Sequence, residues 1–362
     1  MKRICDIDSV VLATVRKGTV IPAMVLALDE HRQFAPRYQR ALARYFIDAG
    51  VGGIAVGVHS TQFAIRDPKI NLFQRVIRET GQFIDEWCDR RGRRVLKVGG
   101  VCGRTEQAVA EAEFEASCGF DAALLSMGAF KDDTIETMLH HCREVAKVMP
   151  IIGFYLQPSV GGRMLPFEFW REFVEIPNVL AIKIAPFNRY FTLDVVRAVA
   201  ESGRDDITLY TGNDDNLLID LLTEYRVSGK RLRIKGGLLG HWSVWTKKAV
   251  ELLDKVHEIV DSQAAVPPEL LSLAVQITDS NAAIFDPQHS FAGCIPGLHE
   301  VLRRQGLLPG IWCLDPNEML SSGQSEEITR VHDAYPHLHD DAFVAAHLAE
   351  WLERMRITNE EE

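Results

Sequence analysis

A parallel (β/α)8 barrel of the TIM type, followed by a helical C-terminal subdomain, is the fold this sequence predicts. Three observations predict it. Eight short apolar, β-branched runs recur with starts roughly 25 to 40 residues apart, the length of one strand–helix unit. An amphipathic segment follows each run, and no stretch is strand-only. The first run leads into Asp29-Glu30-His31-Arg32, without the glycine-rich phosphate turn that a doubly wound open sheet carries after its first strand.

In order, the strand candidates are Ile21–Leu28, Gly53–Gly57, Arg94–Val101, Ala122–Met127, Ile151–Leu156, Leu180–Ala185, Ile207–Gly212 and Leu232–Leu238. The helices between them are expected at Tyr38–Ala49, Leu72–Arg90, Glu106–Ser117, Thr134–Val148, Phe167–Val174, Leu193–Glu201, Asn216–Tyr225 and Val244–Val260. These place the barrel over residues 18–262. From 263 to 362 the pattern is helical only, with candidates Pro268–Ser280, Gly297–Arg304, Glu326–Ala334 and Asp341–Arg356, punctuated by Pro287, Pro296, Pro309 and Pro316. The chain closes on the acidic run Glu360-Glu361-Glu362.

Composition narrows the function classes. With 47% apolar and 25% charged residues the chain can fill an ordinary globular core. A formal charge of −10 argues against nucleic acid as a partner. No apolar run approaches the roughly 20 residues of a membrane span, and the N-terminal segment has acidic residues where an export signal needs its apolar centre. The basic cluster Arg90-Arg91-Gly92-Arg93-Arg94 precedes a strand and reads as a solvated loop. Seven cysteines, odd in number and without a C-x-x-C pair, support neither a disulfide framework nor a zinc knuckle and fit a reducing cytoplasm.

In a barrel the chemistry gathers at the C-terminal ends of the strands. One such end carries Lys183, the only charge in Val179-Leu180-Ala181-Ile182-Lys183-Ile184-Ala185-Pro186-Phe187. Burial disfavours the ammonium form, and a neutral lysine is a nucleophile toward ketones. A lysine snorkelling from a strand end to water is the competing reading. Tyr155 comes from the preceding strand at matching depth, where a phenol beside an amine can carry protons; it can equally be a packing residue with its hydroxyl on backbone. The other ends read Gly57-Val58-His59-Ser60-Thr61, Thr211-Gly212-Asn213-Asp214-Asp215 and Gly237-Leu238-Leu239-Gly240-His241-Trp242-Ser243.

Phe154-Tyr155-Leu156-Gln157-Pro158, Ile182-Lys183, Thr211-Gly212-Asn213-Asp214-Asp215 and Gly237-Leu238-Leu239-Gly240-His241-Trp242-Ser243-Val244 occur in the order and approximate spacing of four signatures, Y-x-x-P, I-K, G-x-D and G-x-x-G-x-x-S-V. Over residues 18 to 310 the chain thereby resembles the dihydrodipicolinate synthase and N-acetylneuraminate lyase superfamily of class I aldolases, with the tail from about 315 an addition. The resemblance implies that Lys183 forms an iminium with a 2-oxo acid such as pyruvate or a sugar-derived keto acid, that Tyr155 moves protons, and that no cofactor is needed. It implies a homo-oligomer, dimer or tetramer.

Departures from the family pattern limit the substrate. The family's G-T-T-G-E is replaced by Gly57-Val58-His59-Ser60-Thr61, so that Ser60, Thr61 or His59 would hold the substrate carboxylate; His59 either relays protons or makes a plain loop contact. The synthases' arginine five residues after the motif tyrosine falls at Val160, with Arg163 nearby. Gly128-Ala129-Phe130-Lys131 lacks the tyrosine many members lend to a neighbouring subunit. A lyase acting as aldolase or dehydratase, other than the synthase itself, is therefore expected, with Gly212, Asp214, Gly240 and His241 shaping the pocket. The alternative is a non-catalytic relative binding a metabolite or protein at the barrel mouth. Trp242 and His241 either line a pocket for a larger substrate or pack beneath the C-terminal helices. His332, His337, His339, Asp340 and Asp341 show no regular ligand spacing, and no metal is expected.

Overall fold

The computed structural model describes residues 1–353. The strands are β1 (Val20–Pro22), β2 (Gly53–Val56), β3 (Leu96–Val101), β4 (Ala122–Leu125), β5 (Ile151–Leu156), β6 (Val179–Ala185), β7 (Thr208–Thr211), β8 (Glu224–Val227) and β9 (Lys230–Leu239). The helices are α1 (Ser9–Lys17), α2 (Pro36–Ala49), α3 (Phe73–Arg91), α4 (Thr105–Ser117), α5 (Ile135–Val148), α6 (Phe167–Phe173), α7 (Arg189–Ser202), α8 (Leu217–Leu222), α9 (Thr246–Asp261), α10 (Pro268–Phe285), α11 (Cys294–Arg304), α12 (Gln324–Ala334) and α13 (Asp341–Leu352).

Eight parallel strands pair in the order β1-β9-β7-β6-β5-β4-β3-β2. The seam between β1 and β2 is drawn together by a parallel bridge of Ala23 to Ala55 and by the Met24 N–H on the Ala55 carbonyl at 2.8 Å. The expected (β/α)8 barrel is what forms. Because helices cover its outer face, its strands are buried on both sides and read as near-continuous apolar runs. Two apolar layers result. One lies between strands and helices; the other fills the barrel and includes Ala55, Val98, Leu124, Ile152, Ala181 and Leu238.

Helix α1 was not foreseen. Asp8 caps it, accepting from the N–H groups of Val10 and Val11 at 2.9 and 3.1 Å. Val11 and Val15 on one face of α1, with Ile7 just before its cap, join the interior layer at the base of the barrel; burying each such side chain is worth about 1.5–3 kcal/mol. Other boundaries differ from expectation as well, three of them with consequences for the fold. The first strand stops at Pro22 rather than Leu28, because Gln39 rather than a strand takes the Ala27 N–H and the Val25 carbonyl (2.8 and 3.2 Å). The helix expected over Asn216–Tyr225 ends at Leu222, and the chain forms an antiparallel hairpin of β8 with β9. The last helix ends at Leu352 with Glu353 as its extended C-cap, and the rest of the expected helix, 354–356, like Glu360-Glu361-Glu362, lies outside the described residues.

Helices α10 and α11 bring Phe285 and Leu298 to the barrel mouth, α12 packs on α10 and α11, and α13 packs on α2. Arg44 of α2 donates to the carbonyls of Glu350, Trp351 and Glu353 (2.9–3.1 Å) with its guanidinium over the Trp87 ring. Asp48 accepts from Trp87, Trp351 and Arg91. The basic cluster read as a solvated loop is thus partly structural: Arg91 bridges Asp48 and Glu350, and Arg93 holds the Ile47 and Val51 carbonyls.

Candidate active site

The pleat of β6 decides what faces the barrel axis. Ala181 and Ala185 belong to the interior layer, Ile182 and Ile184 to the outer one, so Lys183 points inward. Lys97 of β3 makes the contrast: it stands level with the outward Ile54, reaches the outer layer and pairs with Asp85 at 2.6 Å. Among the described residues, none of the ion pairs involves Lys183. Its Nζ lies 4.3 Å from the centroid of Phe154, and the side chain is 8% exposed.

Lys183 opens into a cavity at the C-terminal ends of the strands, enclosing about 650 Å3 of atom-free space, part of it open to solvent. Of the residues singled out in the sequence, His59, Ser60, Gly212, Asp214 and Gly240 share this cavity with Lys183. Gly212 is there by necessity: a Cβ at this position would lie 2.7 Å from Lys183 Cε and 2.8 Å from Ala185 Cβ. At Gly240 a Cβ would meet the Phe285 ring at 3.1 Å.

Burial pushes the Lys183 amine below the usual lysine range, opposed by the Asp214 carboxylate. Burial also pushes the Asp214 carboxyl up, opposed by Lys183. The two proton affinities therefore approach each other, and the pair titrates as a unit. His59 is held neutral, lowered to about 4 by desolvation and then by Lys183. The Asp214 loop is held by hydrogen bonds from neighbouring elements. Asp214 accepts the His241 N–H at 3.3 Å, and its carbonyl accepts from Asn281 at 2.7 Å. Beneath it Asp220, 1% exposed, accepts from Arg189, Thr211, Asn213 and Asn216 at 2.6–2.9 Å.

Three expected site residues fall elsewhere. Tyr155 does not meet Lys183. It stands in register with the outward Ile184, its ring packs on Trp170 and Phe191, and its hydroxyl accepts the Leu165 N–H at 3.3 Å. The residue level with Lys183 is Phe154. The interior tyrosine on the other flank, Tyr210, turns to the barrel base and donates to the Val15 carbonyl at 2.8 Å. Thr61 lies behind the cavity wall, donating to the Met24 carbonyl at 2.6 Å and accepting the Gly57 N–H at 3.0 Å, which pins the turn carrying His59 and Ser60. The His241 ring faces a separate hollow beside Trp245, and Trp242 is fully buried away from the cavity. Ser60 donates to the Ala23 carbonyl at 2.7 Å.

Sequence reading missed Phe187, Phe285, Phe291 and Leu298 at the mouth; nothing but their place in the fold marks them. It also found no ligand set in the tail, yet the chain brings His332, His339 and Asp341 together. The imidazoles stack at 4.2 Å and Asp341 accepts from His332 at 2.8 Å and from Gln305, so the group is accounted for as a clasp joining α12 to α13.

Residues 16–224 match the model of the dihydrodipicolinate synthetase family. The chain is 26% identical over 221 residues to a 4-hydroxy-tetrahydrodipicolinate synthase of Desulforudis audaxviator, covering 60% of this chain and 69% of that one. It is 25% identical over 218 residues to the enzyme of the same name from Desulforamulus reducens, covering 59% and 68%. Among solved structures, a prophage protein of the dihydrodipicolinic acid synthase family from E. coli K12, in complex with pyruvate, superposes with a TM-score of 0.70 at 16% identity over 89% of this chain and 98% of that one. The N-acetylneuraminate lyase of Mycoplasma synoviae gives 0.65 at 16% identity, covering 88% and 98%. At these identities the superpositions speak to the fold alone.

Proposed function

The chain belongs to the dihydrodipicolinate synthetase family, and from that premise we propose that it is a lyase forming a Schiff base between Lys183 and a 2-oxo acid such as pyruvate, as aldolase or dehydratase, with a reaction partner other than that of the synthases. The observation that carries this reading is the inward, desolvated Lys183 beneath a cavity in which Gly212 leaves its side chain room.

The neutral amine attacks the ketone carbon, and the carbinolamine loses water to give the iminium. Asp214 takes the ammonium proton and returns it to the departing hydroxyl, a task suited to a carboxyl whose affinity has been raised toward neutrality. Neutral His59 is the second proton acceptor, for the carbon next to the iminium, replacing the role expected of Tyr155. Of the residues expected to hold the substrate carboxylate, His59 and Ser60 line the cavity beside Lys183. The Ser60 proton is already committed to Ala23.

The test is to incubate the protein with pyruvate and other 2-oxo acids, reduce with borohydride and measure intact mass. An adduct absent from Lys183→Ala is the expected outcome; no adduct with any of a broad panel refutes the proposal. A second reading, a barrel that captures a 2-oxo acid without turning it over, draws on Phe154 standing where a hydroxyl was expected. Adduct formation without any exchange of pyruvate methyl protons into heavy water would favour it.

A further inference from the structure

The cavity has two chemically distinct halves. Its floor holds Lys183, Asp214 and His59, all engaged by the 2-oxo acid in the reaction proposed above; Ser60, Gln157 and Cys294 are the other polar residues of its lining. Its mouth is formed by Leu156 and Val160 after β5, Phe187 after β6, and Phe285, Phe291 and Leu298 from the helical segment beyond the barrel. We infer that this mouth receives an aromatic, or comparably apolar, aldehyde as the second substrate.

Two independent features point that way. The rings of Phe187 and Phe291 approach from different segments, centroids 5.9 Å apart and 68° between planes. Both residues hold left-handed backbone, φ 52° and 66°, which bulky side chains adopt only when their surroundings impose it and which gathers at ligand clamps. The surroundings are identifiable: the Phe187 N–H donates to Asn213 Oδ1 at 3.0 Å, and the Phe291 N–H to the Asp286 carbonyl at 2.9 Å. The second feature is the fate of the flanking cations. Arg163 donates to the carbonyls of Phe130 and Asp133, and Arg189 pairs with Asp220 and Asp215. Neither lines the cavity; Lys183, committed to pyruvate, is the one lysine or arginine among its described lining residues, so an acceptor carboxylate or phosphate would lose part of its water against phenyl rings with no further cation to meet it. An aryl ring there gains edge and face contacts instead.

In the step this assigns, the enamine carbon of Lys183-bound pyruvate adds to the aldehyde carbon, and the aldehyde oxygen takes a proton. Water then hydrolyses the iminium, freeing the lysine and a 4-hydroxy-2-oxo acid; the reverse cleaves that acid to pyruvate and the aldehyde.

The inference rests on the Schiff-base reading, and one experiment separates the two. The full chain is given pyruvate with benzaldehyde, glyceraldehyde or succinic semialdehyde, and 4-hydroxy-2-oxo acid formation is followed by mass spectrometry, with borohydride trapping of pyruvate alone run alongside. Benzaldehyde should exceed both polar aldehydes in kcat/KM by about tenfold or more, and Phe291→Ser, checked for folding by thermal melting, should raise its KM by a similar factor. If the lysine adduct forms but benzaldehyde is unused or no better than the polar aldehydes, the inference falls alone. If pyruvate leaves no adduct, the Schiff-base reading falls and takes the inference with it.

Discussion

Replacing Gly212 with alanine tests the central geometry with a single methyl group. The backbone there does not require glycine, so the added Cβ acts through space. It would lie 2.7 Å from Lys183 Cε, where ordinary contact begins at 3.4 Å, so the lysine chain must give way by some 0.7 Å. Ala185 Cβ, 2.8 Å away and two residues along the same strand as Lys183, is crowded by the new methyl as well. Overpacking of this kind costs roughly 1–3 kcal/mol of stability, within what a domain tolerates. A displacement approaching 1 Å in a reacting group costs on the order of 10²-fold in rate. Gly212→Ala should therefore melt a few degrees lower yet form the borohydride-trapped pyruvate adduct about a hundredfold more slowly, as timed by quenched mass spectrometry. An adduct rate equal to wild type in a folded Gly212→Ala protein would refute the reasoning.

Tyr155→Phe should leave the trapping rate within about twofold and cost about 1 kcal/mol in a urea melt, since it removes one acceptor from the buried Leu165 N–H; a large loss of rate would restore the tyrosine to the chemistry. Asp220→Ala strands four donors around the Asp214 loop, one of them the partly exposed Arg189, and should lower stability by about 3 kcal/mol by the same assay. In Asp214→Asn the carboxylate that favours the ammonium form is gone, so the midpoint of the pH dependence of adduct formation should move to lower pH; an upward move would contradict the pairing. His59, His141, His241 and His299 are each lowered from 6.5 to about 4 by burial. Between those values the unfolded chain takes up protons the folded chain does not, so stability should fall as pH drops from about 6.5 toward 4. A urea midpoint that stays constant over that window would show these histidines to be accessible.

The barrel was legible because each of its strands is buried on both faces, which turns it into an apolar run easily counted along the chain. The same burial hid the direction of the side chains. A strand facing water on one side alternates polar with apolar residues and reveals its parity; Phe154-Tyr155-Leu156 does not. Counting back from Pro158 selected Tyr155, whereas the pleat that turns Lys183 inward selects its register partner Phe154. Lys97 and Lys183 look alike in sequence and differ only in that parity. The β8–β9 hairpin did carry a signal, Ser228-Gly229, both at positive φ as a tight two-residue turn requires. The leucine-rich run before it carries a helical pattern as far as Tyr225. The phenylalanines at the mouth had no signal at all, since the helical segment that supplies two of them lies about 100 residues beyond Lys183.

That separation along the chain has an evolutionary consequence. Under the proposed chemistry the nucleophile and its proton carriers stand on a strand and strand-end turns, which pack against everything around them and resist change. The Phe285–Leu298 stretch that covers them meets the barrel at Gly240 and the cavity mouth. If that chemistry holds, a lineage can redraft which aldehyde is welcomed by editing the cover, leaving the lysine and its surroundings intact.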